Sequence, residues 1–261
     1  MRWLGAALVA ILVTAAGSPP ASADNPPSAT DILNRVLDSD PWGLNGATIT
    51  ARATLTDKGG SKSELSLVAK SKRYDPPLSK SIVRFSAPPD LAGAGFLQIQ
   101  KRDGDDDRYL FLPELKRSRR IAGSLRSNAF MGTDFSFADL DRRDLRDADA
   151  RLTGDEPVAS WPCYVVDVTP RREDAQYSHT VMWVRKDNFL TLKTKMFDKG
   201  GVLEKTFEAL EVKRVAGHWF ISKSRMHDVQ HAHTTELVLE DIVVKADIDD
   251  DEFTMRALEK P

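Results

Sequence analysis

The chain has 261 residues, 41% hydrophobic and 29% charged, with 37 basic side chains, 39 acidic ones and a single cysteine. A net charge of −2 excludes a bulk nucleic-acid binder, whose affinity rests on an excess of Lys and Arg at the phosphates. One cysteine excludes an internal disulfide framework, so stability has to come from burial.

Taken in chain order, the first residues read as an export signal. Met1 and Arg2 are a short positive region, residues 3–16 are apolar, and residues 17–20 break the run before Ala21-Ser22-Ala23, a small-residue cleavage site. About 14 apolar residues fall short of the roughly 20 that a spanning helix needs. Cleavage after Ala23 leaves Asp24 where a lipid-anchored product carries cysteine. The expected product is an exported, unlipidated single domain over residues 24–261, of a length ordinary for one β sandwich or barrel.

Ser28 and Asp31 form a capping box ahead of Ile32, Leu33, Val36 and Leu37, which predicts one amphipathic helix. Pro41-Trp42-Gly43 ends it. From there the period changes to two, with Ile49, Ala51, Ala53 and Leu55 alternating with polar residues. Turn signals such as Lys58-Gly59-Gly60, Asp103-Gly104-Asp105 and Lys199-Gly200-Gly201 separate β-rich runs. Those runs are residues 49–55, 65–69, 82–85, 96–99, 108–112, 164–168, 181–184, 190–196, 202–212, 219–229 and 234–244. About eleven antiparallel strands are therefore expected, since parallel crossovers would need helices between them. The alternation stops over residues 123–149. There Ser136 with Asp139 fits a second capping box and Phe135 with Leu140 a hydrophobic staple, predicting a short helix with Phe137, Leu140 and Leu145 on its apolar face.

Tyr109-Leu110-Phe111-Leu112-Pro113, Leu115-Lys116-Arg117, Arg119-Arg120-Ile121, Phe130-Met131-Gly132-Thr133-Asp134-Phe135 and Asp139-Leu140 together resemble the signature of the outer-membrane lipoprotein-sorting (LolA-like) family. The branch meant is the one often encoded with lipid or RND-type exporters. The resemblance runs from about residue 28 to residue 255. It implies a mainly β (α+β) fold, an incomplete antiparallel barrel with two helices covering the concave face. It also implies a periplasmic carrier of lipid or acylated lipoprotein cargo, working as a monomer beside an inner-membrane exporter. A related half-barrel serves as an envelope sensor that regulates through a protein partner, and this is the alternative.

A sheet of this size encloses volume, which either forms an apolar cavity or is filled by the protein's own side chains. Phe130, Met131, Phe135, Phe137 and Leu140 are the candidate lining, with an equal claim to be the core of the short helix. The helices and residues 88–95 are the candidate lid, because Gly93 and Gly95 can absorb backbone rotation.

Other chemistry is weak. The chain has no G-x-S-x-G, H-E-x-x-H or P-loop lysine motif, so no enzyme activity and no cofactor are expected. Asp103, Asp105, Asp107 and Glu114 mimic a calcium loop, but Arg108 stands where glycine is required, so they read as a hairpin turn. His227, His231 and His233 read as flanking a hairpin, without the settled third or fourth ligand that zinc needs. Residues 116–120 with Arg142, Arg143 and Arg146 are a surface for an acidic partner or anionic lipid heads, or else a solvated face offset by Asp141, Asp144 and Asp147. Cys163, between Pro162 and an apolar run, reads as a small core residue.

Overall fold

The computed structural model describes residues 26–38, 46–75, 78–140, 143–244 and 248–260, so the leader and the Pro41-Trp42-Gly43 turn lie outside the described residues. The first helix, α1 (Ala29–Asp38), begins where the capping box places it. The Asp31 N–H donates to Ser28 Oγ at 3.1 Å, and Ser28 Oγ donates to the Asp31 carboxylate at 2.6 Å.

Among the described residues thirteen strands follow. They are β1 (Ala47–Thr56), β2 (Lys62–Asp75), β3 (Leu78–Ala87), β4 (Gly95–Ile99), β5 (Asp107–Leu112), β6 (Arg117–Arg120), β7 (Ala148–Asp155), β8 (Cys163–Pro170), β9 (His179–Arg185), β10 (Thr191–Phe197), β11 (Leu203–Val215), β12 (His218–Asp228) and β13 (His233–Val244). Two short helices complete the set, α2 (Arg143–Arg146) and α3 (Met255–Glu259). All thirteen strands form one sheet in the order β6-β5-β4-β3-β2-β1-β13-β12-β11-β10-β9-β8-β7. Each pairing is antiparallel. Two meanders are thus joined through β1 and β13, and the sheet stays open between its edges β6 and β7.

The count exceeds the expected eleven by those two edges. Strand β6 is Arg-Ser-Arg-Arg and carries no apolar alternation, while β7 alternates only the partly buried Ala148, Ala150 and Leu152 with exposed residues and ends in three exposed ones. Short, charged edges are how an open sheet avoids pairing with another chain.

Register assigns the two faces. Along β1 the buried Ala47, Ile49, Ala51, Ala53 and Leu55 point inward, and their partners carry that face through Leu65, Leu67 and Ala69 into Val83, Phe85, Phe96 and Leu110. At the other end α1 packs Ile32, Leu33 and Val36 onto Val166, Val168, Met182 and Val184. The outer face of β3 to β5 is covered by residues 248–260, with Ile248, Phe253 and Leu258 buried against Ile82, Leu97 and Phe111. Cys163 is buried, with Sγ 3.3 Å from the Trp161 carbonyl, and burial pushes its thiol pKa up.

The second predicted helix is corrected. Its capping box forms, with Ser136 N–H donating to Asp139 Oδ2 at 2.7 Å and Asp139 N–H to Ser136 Oγ at 3.1 Å. No helix propagates from it: Phe137 N–H donates to the Asn128 carbonyl and Ala138 N–H to the Arg126 carbonyl. These first-turn donors have no acceptor inside a helix, so the bonds tie a turn at residues 137–140 back to residues 126–128, and among the described residues helix appears next at Arg143. Leu145 accordingly joins α1, while Phe137 and Leu140 join a different cluster.

Candidate functional site

Residues 121–140 and 143–147 lie between edges β6 and β7 in the chain, and Phe130 and Phe137 among them pack on the inner face. Their start is pinned by Ile121, which is buried and donates its N–H to the Arg108 carbonyl at 2.9 Å. A 3₁₀ turn, Gly123–Ser127, follows. Next comes a miniature hairpin closed by an Ala129–Ser136 bridge. Its tip is a turn with both central residues left-handed, Met131 at φ 51° and Gly132 at φ 80°, and Thr133 N–H donates to the Phe130 carbonyl at 3.0 Å. Such a turn admits glycine without cost. This accounts physically for the Phe-Met-Gly-Thr-Asp-Phe motif.

The hairpin inserts Phe130 into the sheet. Its ring centroid lies 5.7 Å from that of Phe85, 5.3 Å from Phe96 and 5.5 Å from Phe137, and Phe137 also meets Phe96 at 5.5 Å. Tilted and edge-on rings at these spacings are favourable beyond their buried area. Around them lie Ala53, Leu55, Leu65, Leu110 and Ile121, with Met131 and Leu140 packed on the outside. Phe135 points elsewhere, joining Tyr177, Met196, Met226 and Phe207. Of the expected lining, Phe130, Met131, Phe137 and Leu140 therefore come together and Phe135 does not.

Sequence reasoning missed the polar residues that hold this segment. Arg126, buried, is 3.0 Å from Asp144 and reaches the Asp174 carbonyl at 3.5 Å. Asp134, also buried, accepts from Thr235 Oγ1 at 2.6 Å and lies 2.8 Å from His233 Nδ1, while its N–H donates back to the same Thr235 hydroxyl at 2.9 Å. Asp139 accepts from the Tyr177 hydroxyl at 2.8 Å and sits 3.6 Å from Lys205 Nζ. Burial and the Asp139 charge push the Tyr177 pKa far up, so the phenol stays a neutral donor. Ser136 Oγ donates to Gln176 Oε1 at 2.6 Å. The signal for this network was present as Asp134 and Asp139 inside an otherwise apolar motif, but its partners are up to 101 residues away.

The lid candidates separate. Gly93 has φ 85° in the β3–β4 loop. Gly95 is the first residue of β4, and a Cβ there would meet Arg84 Nη1 at 2.8 Å and Leu258 Cδ1 at 2.9 Å, so its small size serves close packing beneath α3. Each histidine of the trio has its own acceptor or donor: His227 with Thr234 Oγ1, His231 with Asp228, His233 with Asp134. Among the described residues no group of three His, Cys, Asp or Glu side chains is placed to hold a metal ion, and no helix is long and apolar enough to cross a membrane.

An open antiparallel sheet with helices and a crossing segment on its inner face defines a half-barrel of the lipoprotein-sorting, LolA-like class. It is similar to an outer membrane lipoprotein-sorting protein domain from Vibrio parahaemolyticus, at 25% identity over 89% of this chain and 98% of that one, with a TM-score of 0.81. A DUF1329 family protein from Desulfovibrio piger ATCC 29098 is similar at 26% identity, 88% and 99% coverage and a TM-score of 0.81. A LolA superfamily protein from Nitrosomonas europaea shares the fold at 20% identity, 87% and 97% coverage and a TM-score of 0.68. The chain belongs to the family whose model, described as "-like: Uncharacterized protein", matches residues 78–260. No curated protein matches.

Proposed function

We propose that this protein is a carrier of lipid or acylated cargo that takes an acyl chain onto the inner face of β1 to β5 in exchange for residues 125–140. One observation carries the reading. The backbone-to-backbone hydrogen bonds described for residues 122–139 close within that stretch, among them Phe130 to Phe135, Phe137 to Asn128 and Ala138 to Arg126. The cover is therefore a self-contained unit held by side chains, and lifting it breaks no strand pairing.

The energies allow exchange. A buried chain of about 16 methylenes is worth roughly 12 kcal/mol, while re-exposing Phe130 and Phe137 costs about 3–6 kcal/mol. Opening the polar contacts of Asp134, Asp139 and Arg126 adds roughly 1.5–3 kcal/mol for each charged hydrogen bond lost. The two sides nearly balance, and a carrier that must release its load needs that. The likeness to a lipoprotein-sorting domain supports the same role. Export through the leader at residues 1–23, a periplasmic setting and hand-off with an inner-membrane exporter belong to this reading.

The test is native mass spectrometry of detergent-free protein with hydrogen exchange before and after adding a long-chain fatty acid. A bound acyl species is expected, with faster exchange over residues 125–140. No bound lipid, and unchanged exchange there, would overturn the proposal.

A further inference from the structure

The cross-strand row Ala69, Val83, Phe96, Leu110 is paired residue to residue across β2, β3, β4 and β5, and its last partner, on β6, is Arg119. One step along, Leu112 pairs with Arg117. The apolar rows of the inner face thus end, at the free edge of the sheet, in two exposed guanidinium groups. Arg120 alternates to the other face, where it meets Asp107 at 3.0 Å. Leu115, just before β6, is 50% exposed. Lys116 takes a left-handed conformation at φ 49°, turning the chain back so that the basic strand lies along Leu110 and Leu112.

An apolar track that stops at a pair of cations has the polarity of an amphiphile with an anionic head. Four strand spacings of about 4.8 Å separate Arg119 from Ala69, roughly 19 Å. One leaflet of a bilayer, half of a hydrocarbon core of about 30 Å, is somewhat shorter. A chain lying along the row therefore places its head at β6. Arginine offers a planar fork that matches phosphate oxygens two at a time.

We infer that Arg117 and Arg119 form a headgroup subsite, and that the preferred cargo is an anionic phospholipid. This rests on the carrier reading above and gives it a substrate class. The subsite binds the head of the lipid held on the inner face.

The experiment measures uptake of pyrene-labelled phosphatidylglycerol, phosphatidylcholine and diacylglycerol with identical acyl chains, by the wild type, by Arg117→Ser/Arg119→Ser and by Arg120→Ser. The wild type should bind phosphatidylglycerol about tenfold more tightly than diacylglycerol. The double variant should lose that preference while keeping its affinity for diacylglycerol, and Arg120→Ser should keep both. Equal binding of the three lipids by the wild type overturns the subsite but leaves the carrier. A preference that survives in the double variant, or that Arg120→Ser abolishes as fully, overturns the inner-face placement. Retention on phosphatidylglycerol vesicles without uptake of labelled lipid makes the cations a membrane patch and overturns the subsite. Failure to bind any of the three lipids overturns the carrier reading itself.

Discussion

Truncating Phe130 separates a displaceable cover from a fixed core. The ring is 7% exposed and touches three other phenyl rings at centroid distances of 5.3 to 5.7 Å. Phe130→Ala in a packed site costs about 3–5 kcal/mol. For a protein of this size each kcal/mol moves the melting temperature by roughly 2–4 °C, so a fall of about 10 °C is expected. If an acyl chain replaces this ring, the loaded state has already expelled it and loses little by the truncation. The exchange then shifts toward loading by roughly 3 kcal/mol, about a hundredfold in apparent affinity, until the open form saturates. Thermal unfolding and displacement of a fluorescent fatty acid, run on the same preparation, should therefore move in opposite directions. A variant that melts lower and also binds the fatty acid more weakly refutes the exchange, because the ring would then be touching the ligand.

Gly95→Ala should destabilise by about 1–3 kcal/mol through overpacking, since the new Cβ meets Arg84 and Leu258 below 3 Å. Limited proteolysis should release residues 248–260 first. Asp187→Asn removes the carboxylate that meets Arg185, a fully buried guanidinium whose Cζ lies 3.6 Å from the Trp161 ring centroid and 4.6 Å from that of Trp219. Because Asp187 is 56% exposed, solvent screening limits the loss to about 1–2 kcal/mol. Arg185 holds the Asp187 carboxyl below the usual carboxylate range. Its stabilisation is therefore complete above about pH 4 and is lost as the pH falls through the depressed value, so wild type and variant should converge in acid denaturation. Cys163, buried with a raised pKa, should resist alkylation at pH 8 until the protein unfolds, and labelling of the native protein would contradict its place in the core.

The interior strands were legible because one buried face imposes strict alternation, as in residues 47–55, where every second side chain is inward. The start of helix α1 was legible because its capping box and its apolar stripe agree. The same capping signature at Ser136 misled, since the residues after it close a turn held against Asn128 and Arg126 and do not propagate a helix. Of the site, the aromatic residues could be read as apolar and close in sequence. The side chains that hold them, His233, Thr235, Lys205 and Tyr177, sit on strands and a loop that only the folded topology brings to Asp134 and Asp139.

The stretches that sequence pattern described least are those on which both proposals fall. Strand β6, at the sheet's free edge, is Arg-Ser-Arg-Arg and carries no apolar alternation, and residues 125–140 carry no single period because they fold into short turns and a two-residue bridge. A segment built to leave its site cannot be specified by the pairing of that site, or leaving would break the sheet. It has to be specified by side-chain contacts that can be traded one at a time, and a buried aspartate gripping a threonine and a histidine across 101 residues of sequence is such a contact. Local consistency is expected to weaken where a structure serves two arrangements. Strand β1, which serves one, keeps its alternation over its whole length.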